Sequence, residues 1–140
     1  MVARSFRGAM ASLTPRPVDN VEPLRPIRVL VSSHDRRFLA AAAFLLARRR
    51  FWVESVRGRE ALLGRVEAMG VDVVVLDATD SVAAAARTAG AIEGRHPRTR
   101  VILLTEDATE PAGALRTLPK WGALERLGEE IVHAYGSGSL

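Results

Sequence analysis

Six residues of this chain have types and positions that could do chemistry. Ser33, His34 and Asp35 follow one short apolar run, Asp77 ends a second, Thr105 ends a third, and Lys120 stands shortly before the last amphipathic stretch. A carboxylate at Asp77 could accept a phosphoryl group. A hydroxyl at Thr105 could hydrogen-bond a phosphate oxygen, and the ammonium of Lys120 could pair with its charge. Plainer readings stand beside these. Asp77 could accept hydrogen bonds from loop amides, Thr105 could satisfy local backbone, Lys120 could pair with Asp77, and His34 could be a surface loop residue.

The elements that must position these residues follow from periodicity. Residues 1–26 carry Pro15, Pro17, Pro23 and Pro26 without apolar periodicity and read as a disordered leader. Strand-like runs are expected at Arg28–Ser32, Phe51–Val56, Asp72–Asp77 and Arg100–Thr105, with a short edge strand at Leu115–Leu118. The β-branched run Asp72-Val-Val-Val-Leu-Asp77 has the composition of a strand buried on both faces of a parallel sheet. Helices are expected over Arg36–Arg50, Arg59–Met69, Ser81–Glu93 and Gly122–Tyr135, the last with Leu124, Leu127, Ile131 and Ala134 on one stripe. Asp80 or Ser81 can cap the third. Strands alternating with helices imply an α/β fold, a doubly wound five-stranded parallel sheet whose ligands sit at the carboxyl ends of the strands. Gly136 to Leu140 reads as a tail or a truncated linker, which leaves residues 27–135 as the domain.

Composition narrows the function. The chain has 140 residues, 48% apolar and 26% charged, enough for one domain and too few for two. It has no cysteine, which excludes disulfides and thiolate-held metals. Of its 20 basic residues only Lys120 is lysine; such arginine use fits a GC-rich bacterial genome. The arginines are dispersed over several helices and balanced by Glu125, Glu129 and Glu130, with no recognition-helix pattern, so no direct nucleic-acid contact is expected. No secretory signal and no stretch near the ~20 apolar residues of a membrane span is present, so the expected location is cytoplasmic. An enzyme is not expected either: no phosphate-binding glycine loop, nucleophile elbow or plausible Ser–His pair appears.

In order and spacing these motifs resemble the receiver (CheY-like) domains of two-component response regulators. Val29-Leu-Val-Ser-Ser-His-Asp-Arg-Arg-Phe-Leu39 looks like the family's first strand and helix opening, and Gly58-Arg-Glu-Ala-Leu62 like its second turn. Asp72–Asp77 matches the strand ending in the phosphoacceptor, and Val101–Thr105 the strand ending in Thr or Ser. Gly113-Ala114 and Leu118-Pro-Lys120 match the fifth strand and its lysine. The resemblance implies strand order 2-1-3-4-5, Asp77 as phosphoacceptor, and Thr105 and Lys120 as phosphate contacts.

The departures are equally specific. Ser33 and His34 stand where the family has the acidic pair that holds Mg²⁺, and Asp35 lies one position later, so the resemblance implies a degenerate metal site of Ser33, His34, Asp35 and Asp77. Magnesium prefers hard, anionic oxygen in octahedral geometry, whereas a serine hydroxyl is neutral and imidazole suits softer metals. Only seven residues separate Thr105 from Gly113, which implies a shortened fourth helix, and Thr117 replaces the aromatic switch. The expectation is therefore an atypical, pseudo-receiver variant: a protein-interaction or dimerisation module in bacterial signal transduction that works without Mg-dependent phosphorylation and without a cofactor. Its expected partner is a histidine kinase or regulatory protein, with a homodimer as a further option. Trp121 would be a partly exposed aromatic or an interface anchor. The alternative is a working receiver, phosphorylated on Asp77 with Mg²⁺, controlling transcription through a DNA-binding domain elsewhere on a longer chain. Pro119-Lys120-Trp121 resembles the receivers of LuxR-type regulators in that respect.

Overall fold

The computed structural model describes residues 25–106, 115–122 and 124–137. Most of the expected leader, the Gly113-Ala114 motif, the segment of the expected short fourth helix and the last three residues lie outside them.

The strands are β1 (Arg28–Ser32), β2 (Trp52–Val56), β3 (Val73–Asp77), β4 (Arg100–Thr105) and β5 (Arg116–Pro119). They form one parallel sheet in the order β2-β1-β3-β4-β5. This is the expected doubly wound arrangement. Every residue of β3 is buried, which explains its apolar run from Val73 to Leu76: both faces are covered, and the one polar residue, Asp77, stands at the strand's end.

Side chains alternate across the sheet and divide the core in two. Val29, Val31, Val73, Val75, Ile102 and Leu104 face one way, against α1 (Arg36–Ala47) and α4 (Leu127–Ser137), which supply Phe38, Leu39, Ala42, Leu46, Leu127, Ile131 and Ala134. Leu30, Val74, Leu76 and Leu103 face the other way, against Leu62 and Val66 of α2 (Leu62–Met69) and Ala85, Ala89 and Ile92 of α3 (Val82–Arg95). Each fully buried aliphatic contributes about 1.5–3 kcal/mol, so these layers fix the strand ends on which the polar residues stand.

The helix ends differ from the sequence expectation for local reasons. α1 stops at Ala47 because Arg48–Arg50 forms a turn with Arg50 in the left-handed region (φ 69°). The second helix opens at Leu62 rather than Arg59, with no side-chain cap, and ends on Gly70 at φ 67°. Ser81, rather than Asp80, caps α3, accepting from Ala84 N at 3.1 Å. The last helix does not begin at Gly122. That glycine lies in a turn, a 3₁₀ turn follows at Leu124–Arg126, and α4 then runs from Leu127. Gly136 and Ser137 belong to α4, so the reading of a tail from 136 is corrected at those two positions. Arg25, assigned to the leader, is tied to Asp72 by two hydrogen bonds of 2.8 and 3.0 Å. Among the described residues no helix is long and apolar enough to cross a membrane.

Candidate functional site

The strand order reverses between β1 and β3, so the connections leaving their carboxyl ends run to opposite faces of the sheet and leave a crevice between them. Ser32, Ser33, His34, Asp35, Gly58, Arg59, Asp77, Thr79, Asp80 and Lys120 line it, around a volume of about 250 Å³. Four of the residues singled out from sequence meet at its floor: Ser33, Asp35, Asp77 and Lys120.

Asp77 is the last residue of β3 and is buried. Its Oδ2 accepts from Ser33 Oγ at 2.6 Å and pairs with Lys120 Nζ at 3.0 Å. Its Oδ1 accepts from Thr79 Oγ1 at 2.6 Å and Thr79 N at 3.0 Å, an Asx-type turn that folds the loop back over the carboxylate. Both oxygens are thus fully engaged. Ser33 also accepts, through Oγ, from Asp35 N at 2.9 Å. Asp35 caps α1 through Oδ1, accepting from Arg37 N and Phe38 N at 3.0 and 3.1 Å, while Oδ2 pairs with Lys120 Nζ at 3.0 Å.

Lys120 therefore bridges two carboxylates from different elements, Asp35 at the N-cap of α1 and Asp77 at the end of β3. It follows β5, its backbone N–H donating to Thr105 O at 2.9 Å, which continues the ladder past the strand end and aims the side chain into the crevice. Its ammonium also lies 5.3 Å from the Phe38 ring centre and 5.6 Å from that of Trp121. Those two rings meet edge to face at 5.3 Å.

The charges lean on one another. Burial pushes the Asp77 carboxyl up, but hydrogen bonds from Ser33, Thr79 and Lys120 outweigh it and hold the group below its ordinary value. The Lys120 hydrogen bond, with the amide of Phe38 behind it, likewise lowers Asp35. Burial alone would lower Lys120; Asp77 and Asp35 reverse this and raise it. All three groups are charged at neutral pH. Nearer the solvent, Arg59 grips Asp80 with bonds of 2.8 and 2.9 Å, and this pairing lowers Asp80 and raises Arg59.

The remaining expected residues stand apart from this floor. His34 is exposed at the mouth, where a Cβ on Gly58 would come within 3.0 Å of its ring. Thr105 is buried at the end of β4 and does not line the crevice. Thr79, Arg59, Asp80 and Phe38 were not anticipated in the site. Thr79 carried a usable signal, since an Asp-x-Thr at a strand end favours a side-chain-closed turn. The Arg59–Asp80 pair carried none, because a contact across 21 positions has no periodicity.

The donor set does not suit Mg²⁺. Ser33 spends its proton on Asp77, both Asp77 oxygens are taken, and the Lys120 ammonium stands between the two carboxylates that a cation would need. Among the described residues no cluster of three or more acidic or histidine side chains is disposed to hold a metal.

No family model matches the sequence, and no curated protein matches it. Solved structures do. A CheY-like response-regulator receiver domain protein of Methanospirillum hungatei superposes with a TM-score of 0.70 at 18% identity, covering 81% of this chain and 97% of that one. A response regulator of Thermotoga maritima gives 0.67 at 21% identity, covering 81% and 99%. A protein of Burkholderia pseudomallei described as pilus assembly-related gives 0.69 at 22% identity, covering 84% and 96%. The chain has the receiver fold. At these identities the likeness concerns architecture, and the chemistry of the receiver crevice must be argued from its own side chains.

Proposed function

We propose that this receiver-fold domain is a protein-interaction module of bacterial signal transduction that works without Mg-dependent phosphorylation. The observation that carries the reading is the Lys120 bridge, with Nζ 3.0 Å from both Asp35 and Asp77. An incoming phosphoryl group at Asp77 would need a free carboxylate oxygen, a counter-cation for the extra charge and an open path. Here the oxygens are satisfied, the single lysine is already neutralised by two carboxylates, and the family's acidic pair is replaced by Ser33 and His34. The domain in this reading catalyses nothing, holds no cofactor, resides in the cytoplasm and acts by contact with a kinase or another regulatory protein.

The experiment is incubation with acetyl phosphate or phosphoramidate and Mg²⁺, followed by intact-mass measurement. The expected result is no phosphoryl adduct. An adduct that disappears in Asp77→Asn would overturn the proposal in favour of a working receiver.

A further inference from the structure

A parallel sheet brings all its strand starts to one end, here the end opposite the crevice. The arginines are dispersed along the sequence, but this topology collects a group of them there. Arg25 and Arg28 stand at or just before the start of β1, Arg50 and Trp52 at that of β2, and Arg98 and Arg100 at that of β4, while Arg116 opens β5. With strands about 4.8 Å apart, the row from β2 to β5 spans about 19 Å. Arg48 and Arg49 turn away from it, towards Phe44 and Gly128. The acids near this rim are already engaged. Asp72, just before β3, accepts from Arg25 Nη1 and Nη2 at 2.8 and 3.0 Å and from Arg28 N at 2.9 Å. Its side chain is 13% exposed and that of Arg25 49%, so the cation faces outwards. Glu67 pairs with Arg95 and His96, Glu93 accepts from Val101 N, and Glu130 pairs with Arg116. Arg28, Arg50, Arg98 and Arg100 make no ion pair among the described residues. Arg28 Nε and Arg100 Nε are buried without a hydrogen-bond partner. The rim therefore carries a row of uncompensated positive charge.

At the β2 end of the row stands Trp52, 47% exposed although it belongs to a strand. The Arg28 guanidinium covers its ring at 4.6 Å from the centroid. Arg28 Nη1 also donates to Met69 O at 2.6 Å, which fixes the guanidinium, and the ring above it, against α2. Plainer reasons account for part of this. Cations beside helix C-termini complement the dipole, which suits Arg28 against α2 and Arg98 after α3. The dipole gives no reason for Arg100, nor for an exposed indole on an edge strand. Nor does it explain why Arg50 holds a left-handed backbone (φ 69°), which glycine would adopt without steric cost. A strained position kept by a charged side chain points to use of that side chain.

We infer that the amino-terminal rim of the sheet binds single-stranded nucleic acid, its phosphates along the arginine row and a base stacked on Trp52. The site goes beyond the protein-contact reading and does not involve the crevice. A row of cations answers a chain of regularly spaced phosphates, and an indole exposed to solvent answers an unpaired base. A duplex keeps its bases stacked on one another, and the rim, built of turns and strand starts, has no helix to lay in a groove. An acidic peptide would match the charge and leave the indole unused. A lipid surface would reward several large apolar side chains where the rim shows one.

The test is fluorescence anisotropy of the full chain with three labelled probes: an oligothymidylate of about 15 nucleotides, the same strand in a duplex, and a polyglutamate peptide. Co-sedimentation with vesicles of phosphatidylcholine and phosphatidylserine completes the set. The single strand is expected to bind. For about three or four phosphates, log affinity should fall against log salt with a slope of about −2 to −3. Trp52→Ala is expected to lose about tenfold in affinity at an unchanged salt slope. The double variant Arg50→Gln/Arg98→Gln should lose about as much and flatten the slope by about 1.4. Both alter exposed side chains, and circular dichroism checks that they fold. Quenching of Trp52 fluorescence by the oligonucleotide in a Trp121→Phe background reads the stacking with the ring in place. No binding of the single strand, no quenching, either variant binding like the parent, or equal binding of duplex, peptide or vesicles would each overturn the inference.

Discussion

Replacing Lys120 by Met keeps much of the side chain's length and apolar bulk and removes only the charge that bridges Asp35 and Asp77. Deleting one partner of a buried ion pair costs about 3–5 kcal/mol when the other is left uncompensated. Asp77 is not left so bare. It keeps the bonds from Ser33 at 2.6 Å and from Thr79 at 2.6 and 3.0 Å. Each is worth about 1 kcal/mol or more to a charged acceptor, so the expected loss at neutral pH is about 2–3 kcal/mol. The pH dependence has a definite sign. In the native protein Asp77 sits below its ordinary value. It therefore contributes stability above the unfolded value of about 3.9, and this is lost as pH falls through the lowered folded value. In Lys120→Met burial gains ground, and the Asp77 value rises. The folded variant then loses less stability than the native protein as pH falls, and its deficit shrinks on acidification. The raised Lys120 works at the other end: its stabilisation is complete below the unfolded value of about 10.4 and is lost as pH rises through the folded one. The deficit should thus peak between these limits. Urea unfolding followed by circular dichroism across the range measures it. Equal stability at neutral pH, or a gap that does not change with pH, would refute the bridge as a stabilising element.

Four further outcomes follow from the same geometry. Ser33→Ala removes the donor to Asp77 and the acceptor for Asp35 N, and should lower stability by about 1–3 kcal/mol in urea unfolding. Ser81→Ala should cost about 1 kcal/mol by uncapping α3, with faster amide exchange confined to its first turn. Gly58→Ala should destabilise by about 1–3 kcal/mol, since Gly58 holds φ +91° and the new Cβ would meet Glu60 Oε1 at 2.6 Å. Adding Mg²⁺ at about millimolar levels should leave Trp121 fluorescence in a Trp52→Phe background unchanged. A saturating response would show that a cation competes with the Lys120 ammonium.

Much of the fold was legible in the sequence because it is written in short-range patterns. The run Val73-Val-Val-Leu-Asp77 can bury both faces only as an inner strand, and Leu127, Ile131 and Ala134 recur at helical spacing. The start of α4 was not legible, because the turn through Gly122 and the 3₁₀ segment depend on where β5 delivers the chain. In the site, Asp77 and Lys120 stood out by type and place, and their pairing was foreseen. Asp35 was read mainly for its charge near a metal, while its position just before Arg36-Arg37-Phe38 also marks an N-cap. It is both the cap of α1 and the second arm of the Lys120 bridge. The roles of Phe38 and Trp121 beside that ammonium were out of reach, since residues 38 and 121 meet only in three dimensions.

These side chains also explain why Ser33 and Lys120 belong together. With an acidic residue at position 33, its carboxylate would stand within hydrogen-bonding distance of Asp77, and two anions there would demand a strongly bound cation. Serine at 33 turns that repulsion into a 2.6 Å donor bond. The remaining negative charge, on Asp35 and Asp77, is within the capacity of one ammonium already fixed to the chain. A tethered cation carries no concentration dependence and does not dissociate, so in the proposed reading the crevice needs no added ion to balance its charge. What such a domain can vary is what it touches.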